Sequence, residues 1–163
     1  MEEYLNRLER PVIEIGGPTL QGFKTINTRD LDEFFTSNLA SLEQKVGDNV
    51  KTQTWRDHIG SAGEIDFQAD GQQLPLASES IGGVLISAVP NDEKLNQKII
   101  DEACRVLVDG GILILEANMP RDVLYALNKG LEPVKWERKL SNFFKPYLNI
   151  ALRKKLCEKR SVF

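Results

Sequence analysis

Four short stretches of this 163-residue sequence place chemistry-bearing residues directly beside apolar runs. The first is Glu14-Ile-Gly-Gly-Pro-Thr19, in which a carboxylate and two glycines close the run that starts at Pro11. Glycine lets backbone approach a ligand closely, and its N–H groups meet polar or anionic atoms. Pro18 withdraws one such donor, which argues against a pyrophosphate cradle of the G-x-G-x-x-G kind. The second is Asp70-Gly-Gln-Gln-Leu-Pro-Leu76. There a carboxylate accepts while the next N–H donates, the pair of contacts that an exocyclic amine beside a ring nitrogen requires. Asp70 capping its own turn is the other reading. Ser87-Ala-Val-Pro-Asn-Asp92 is the third stretch, and the run from Arg105 through Asp109-Gly-Gly to Ile114 is the fourth. Together they describe a cleft for a nucleoside-type ligand.

The elements that must position these residues follow from hydrophobic periodicity. Tyr4, Leu5 and Leu8 share one face of a short lead-in helix over 1–10. Residues 11–17 read as a strand running into glycines, and 33–38 (EFFTSN) as a second. Residues 40–63 carry the least legible pattern. A third strand is expected over Glu64–Asp70, which alternates apolar and polar, and a fourth over Gly83–Val89, nearly all apolar as in a strand covered on both faces. Asn91 or Asp92 caps a helix with Leu95, Ile99, Ala103, Val106 and Leu107 inward, and Gly110–Gly111 stops it. Ile112–Ala117 is a fifth strand. Pro120 opens a helix with Val123, Leu124 and Leu127 inward, closed by Gly130. Two β-rich segments within 131–156 form a terminal hairpin.

Strands alternating with helices imply parallel βαβ units, and the short last connection an antiparallel end. The sequence therefore predicts one α/β domain over 1–163, its sheet mostly parallel with an antiparallel C-terminal hairpin, and helices on both faces. In such sheets the ligand lies beyond the carboxyl ends of the strands, where strand order reverses. All four chemical stretches fall near those ends.

Bulk properties narrow the classes. A 41% hydrophobic and 28% charged composition is that of a globular chain rather than a disordered one. Net charge is only −3, so no general field draws nucleic acid. No apolar run approaches a bilayer span, and the charged start lacks the apolar core of a signal peptide. Cys104 and Cys157 lie far apart and outside metal-ligand spacing, and Cys104 falls on the inward helix face. These features predict a cytoplasmic protein without a metal site, a membrane association or a nucleic-acid partner.

Spelled out in order, EIGGPT, ADGQQLPLASESIGGVLISAV and IIDEACRVLVDGGILILE resemble the class I S-adenosylmethionine-dependent methyltransferases, in particular their small type-11 group. That family's pattern is E-x-G-x-G, then D-A-x-x-L-P-F before S-F-D-x-V, then E-x-x-R-V-L-K-P-G-G. The resemblance covers most of the chain and implies a Rossmann-like methyltransferase sheet with S-adenosylmethionine as cofactor. It places Glu14, Gly16 and Gly17 around the methionine part, Asp70 and Gly71 at the adenine, and Ser87 and Ala88 along the cofactor after strand four. The acidic residue that holds the ribose hydroxyls corresponds to Asn38, with Ser37 beside it. Pro18 replaces the motif's second glycine, Ile81-Gly82 replaces Phe-Asp, no His follows strand four, and Asp109 replaces a proline. The first three of these departures touch or adjoin the cleft.

The implied activity is methyl transfer to a small or peripheral acceptor that the sequence does not name, with no catalytic residue assigned. The segment before strand one is short for a lid, so an exposed cleft, a protein partner covering the open cleft, or no catalysis at all would each fit. The departures keep a second reading open, a methyltransferase-like domain without catalysis that serves as a binding or scaffold module. Other residues weigh toward structure. His58 and Trp55 read as loop residues, against a general base or a stacking platform. Trp136, Phe143, Phe144 and Tyr147 read as hairpin core, against a partner or substrate surface, and the basic tail from Arg153 as a solvated strand end, against a weak RNA or acidic-partner contact. Glu116 and Asn118 leave strand five on the cleft side and could reach an acceptor.

Overall fold

The computed structural model describes residues 10–17, 31, 33–38, 65–87, 89, 92–118, 120–140 and 146–155. Within them lie β1 (Val12–Ile15), β2 (Phe34–Asn38), β3 (Phe67–Gln68), β4 (Ile81–Ile86), α1 (Glu93–Val106), β5 (Leu107–Asn118), α2 (Pro120–Asn128), β6 (Leu131–Leu140) and β7 (Pro146–Lys154). The lead-in helix and residues 40–63 fall outside the described residues, apart from Arg10.

One seven-stranded sheet runs in the order β3-β2-β1-β4-β5-β7-β6. The first five strands pair in parallel, and β7 is antiparallel to both β5 and β6. Strand order reverses between β1 and β4, which puts a crevice beyond their carboxyl ends. Both faces are apolar. Ile13, Ile15, Val84, Ile86, Leu113, Leu115, Ile150 and Leu152 form one side of the main core, where α1 and α2 pack with Ile99, Ala103, Val123 and Ala126. Val12, Leu85, Ile112, Ile114 and Ala151 alternate to the opposite face, against Leu31, Phe34 and Val134.

α1 starts where its cap dictates: the Asp92 carboxylate accepts from the Leu95 N–H at 2.9 Å. Its end departs from expectation. The helix stops at Val106, and Leu107 turns straight into extended backbone (φ −66°, ψ 133°). Gly110 and Gly111 lie inside β5. There two steps of β4, Ile81 to Gly83, face five of β5, Leu107 to Ile112. The glycines serve this irregularity: Gly110 has φ +79°, and a Cβ on Gly111 would meet the Val108 carbonyl at 2.9 Å. Lys154 of β7 takes up the task of a helix stop by donating to the Cys104 and Leu107 carbonyls at 3.1 and 2.7 Å.

Two further expectations shift. Leu124, read as inward, is 60% exposed, and Ala126 occupies the inward place instead. The third strand shortens to Phe67–Gln68, because Asp66 turns its carboxylate onto the Thr36 N–H and hydroxyl at 2.6 and 2.9 Å.

Candidate functional site

At the end of β1 the Glu14 side chain is fully buried, and the Ser87 hydroxyl donates to its Oε1 at 2.5 Å. This bond ties the carboxyl ends of β1 and β4 across the switch point. Gly16 follows with φ +88°, and a Cβ there would stand 2.2 Å from the Ser87 carbonyl oxygen. No larger residue fits. Gly17 is constrained differently, since its φ is ordinary but a Cβ there would press on the Glu14 side chain, 2.5 Å from its carboxyl carbon. The Gly16 N–H already donates to the Ser37 carbonyl at 3.0 Å. Gly16 therefore contributes close approach of backbone rather than a donor.

Asn38, at the end of β2, donates its amide to the Gly16 and Gly17 carbonyls at 3.2 and 2.7 Å. A carboxylate could not make these bonds, having no proton to donate at neutral pH. Ser37 adds a bond from its hydroxyl to the Glu14 carbonyl at 3.0 Å. From β2, Asn38 thus fastens the glycine turn and Ser37 the strand that leads into it. The sequence singled out Asn38 and only flanked it with Ser37.

Beyond β3, Asp70 accepts from the Gln72 N–H at 2.9 Å and from the Gln72 side-chain amide at 3.2 Å. The turn-capping reading of Asp70 is therefore realised. It also holds the carboxylate in place, half-buried, beside Gly71. Gly71 lies between β1 and α1, where a Cβ would reach Ile15 at 2.6 Å and Ile99 at 3.4 Å. Sequence reasoning missed what fixes the rest of this loop. Glu102 accepts the Leu74 N–H at 2.7 Å, and Arg105 donates to the Leu74 and Leu76 carbonyls at 3.2 and 2.9 Å. The two side chains also bond each other, Nη2 to Oε1 at 2.6 Å and Nε to Oε2 at 2.8 Å. Arg105 holds the Glu102 carboxyl below its ordinary range and Leu74 adds to the effect, against the opposing influence of burial. Their i, i+3 spacing was the available signal.

Glu14, Gly16, Gly17, Asn38, Asp70, Gly71 and Ser87 thus gather at the carboxyl ends of β1 to β4. Ala88, Pro18, His58 and Trp55 lie outside the described residues. Ile81 and Gly82 do not adjoin the cleft. They open β4 at its amino end, where the Gly82 N–H donates to the Pro11 carbonyl at 3.0 Å, about 16 Å of strand from Ser87. Glu116 and Asn149, 6% and 4% exposed, sit at the corresponding level of β5 and β7.

The sequence family described as methyltransferase domain matches residues 33–115. The chain belongs to this family. Its members are class I enzymes with S-adenosylmethionine as cofactor, and the matched span of this methyltransferase domain runs from β2 into β5. No curated protein matches the chain by sequence. Among solved structures, a SAM-dependent methyltransferase from Methanosarcina mazei is similar with a TM-score of 0.59 at 13% identity, over 96% of this chain and 97% of that one. A Burkholderia thailandensis 1,6-didemethyltoxoflavin-N1-methyltransferase, solved with 1,6-didemethyltoxoflavin and S-adenosylhomocysteine, gives 0.56 at 12% identity, over 90% and 72%. A Haloferax volcanii chain solved in complex with the methyltransferase activator Trm112 gives 0.56 at 11% identity, over 94% and 88%. At such identities the likeness is one of fold. No helix among the described residues of this methyltransferase domain is long and apolar enough to cross a membrane.

Proposed function

We propose that this methyltransferase domain binds S-adenosylmethionine at the β1–β4 strand ends and transfers its methyl group to a small or peripheral acceptor. One observation carries the reading: Gly16 keeps its positive φ directly beside the Ser87 carbonyl, so that only backbone fits where the ends of β1 and β4 meet at the reversal of strand order. The residues around that junction suit the cofactor. Glu14, Gly16 and Gly17 would face its methionine part, Asp70 and Gly71 its adenine, and Ser87 and Ala88 its length between. When bound, the cofactor supplies an electrophilic methyl group on a positively charged sulfur.

The chain's own part is binding and orientation. Asp70, set by Gln72, presents a fixed acceptor for an exocyclic amine. Asn38 secures the glycine turn and leaves the ribose without an acidic partner at that position. Glu14 and Ser87 lock β1 to β4, so that the backbone on either side of the switch point moves as one. A protein partner covering the open cleft would exclude water from it. A Haloferax volcanii chain of similar fold was solved with a protein partner, the methyltransferase activator Trm112.

Calorimetric titration with S-adenosylmethionine and S-adenosylhomocysteine, paired with thermal denaturation, tests this. A ligand at a hundredfold excess over its dissociation constant stabilises the folded state by about 2.7 kcal/mol. Micromolar binding that is lost in Gly16→Val and in Asp70→Ala supports the cofactor cleft. A flat titration of folded protein with both ligands refutes it and favours the binding or scaffold module.

A further inference from the structure

We propose that Glu102 and Arg105, in the second half of α1, are positioning residues for the nucleoside end of the cleft. They clamp the backbone of the loop that carries Asp70 and Gly71. The inference rests on the cofactor reading above, and it goes further by assigning the stiffness of the adenine-side loop to a helix that takes no part in the strand ends.

The loop after β3 has little of its own to hold it. β3 pairs over only two residues, and the chain then makes one isolated bridge, Asp70 with Gln73. Leu74 anchors in the core at 4% exposure. From there to β4, side chains of α1 do the holding. Both polar backbone groups of Leu74 are engaged by the pair, its N–H by Glu102 and its carbonyl by Arg105. The same guanidinium reaches the Leu76 carbonyl and, through Nη1, the Ser78 hydroxyl at 3.1 Å. A rigid planar fork thus fixes three points of a five-residue span, which the single ammonium of a lysine could not do. Glu102 is 11% exposed and orients the fork through both of its oxygens. The helix end helps, since the Glu79 and Ser80 N–H groups donate to the Arg105 and Val106 carbonyls at 3.0 and 2.9 Å. Gly71 meanwhile is pressed onto Ile15 and Ile99. A loop held on both sides keeps the Asp70 carboxylate at one place before any ligand arrives, and such preorganisation governs affinity.

The test compares wild type with Arg105→Ala, Arg105→Lys and Glu102→Gln, and takes Lys129→Ala as the control on the neighbouring surface. Affinities for S-adenosylhomocysteine and for adenosine are measured by calorimetry at a temperature where circular dichroism shows each variant folded. Amide hydrogen exchange of residues 72–78 is followed alongside exchange in β1 and β4. Both Arg105 variants are expected to weaken both ligands by about tenfold, near 1.4 kcal/mol, with no rescue by lysine and no change in Lys129→Ala. Exchange should quicken in residues 72–78 and stay at the wild-type rate in β1 and β4. If Arg105→Ala does not fold, Glu102→Gln carries the test, because it retains one acceptor for the Leu74 N–H, and a weakening of about threefold is expected. Affinities within about twofold of wild type in the folded variants would overturn the proposal while leaving the cofactor site standing. So would quicker exchange throughout β1 and β4, which marks general loss of fold. Failure of wild type to bind either ligand overturns the cofactor reading, and this inference with it.

Discussion

Asn38 shows how much one amide can decide. The family resemblance matches it to a ribose-binding acid, yet its bonds to the Gly16 and Gly17 carbonyls hold the glycine turn. Restoring the acid by Asn38→Asp should therefore weaken the protein. Both donors disappear and a carboxylate meets two carbonyls, a cost of about 1–3 kcal/mol in urea denaturation, and affinity for S-adenosylhomocysteine should fall rather than rise. Gly16→Ala should cost at least as much, because the added Cβ collides with the Ser87 carbonyl at a backbone angle that alanine rarely adopts. Cys104 illustrates the opposite case of a residue silenced by its surroundings. Burial, with help from Asp101, pushes its thiol up, against the weaker opposing pull of Lys154 and Lys129. In the native protein, alkylation by iodoacetamide at pH 8 should be slow at Cys104 and become fast in urea, as followed by peptide mass spectrometry.

At the scale of elements, the clamp between α1 and the β3–β4 loop gives the molecule an acid limit. The folded Glu102 carboxyl ionises below its ordinary value of 4.5, so the stability it contributes is present above that value. It is lost as the pH falls through the depressed folded value. The advantage of wild type over Glu102→Gln in urea midpoint should accordingly hold from neutral pH to about 5 and narrow below 4.5. The same elements show what the sequence made legible. β1, β4, the core of β5 and the start of α1 followed from apolar runs and a capping Asp, because burial dominates their energetics and burial is written in composition. The bulge in β5 was hidden: Gly110-Gly111 after a helical stripe has the pattern of a helix stop, and only the pairing with β4 shows otherwise. Leu124 misled because the larger residue was assigned inward, whereas helical spacing from Val123 gives the buried place to Ala126. Of the site, the residues at the strand ends were legible from the parallel-sheet rule. Their partners were not, since Asn38 with Gly17 or Glu102 with Leu74 are contacts between positions distant in sequence.

Taken whole, the molecule is a sheet buried on both faces, and its least forgiving part is the middle. Leu113, Ile114, Ile150 and Leu152 are all fully buried. Leu113→Ala should cost about 2–5 kcal/mol in thermal or chemical denaturation, with cofactor affinity unchanged at temperatures where the variant stays folded. Surface pairs such as Lys129 with Asp101, both more than 40% exposed, should contribute little, because solvent and salt screen them. The strand order carries one more consequence, for the moment of synthesis. β7, near the carboxyl end of the chain, lies inside the sheet, and β6 has no strand neighbour other than β7 among the described residues. A ribosome delivers β6 first, so that strand must wait, unpaired, while β5 keeps an open edge along Ile112–Leu115. Only when residues 146–154 emerge can both edges close, β6 through a local hairpin and β5 through slower pairings as distant as Ile112 with Arg153. Nascent chains stalled before residue 146 should thus be protease-sensitive and prone to self-association, and those that expose β7 should not.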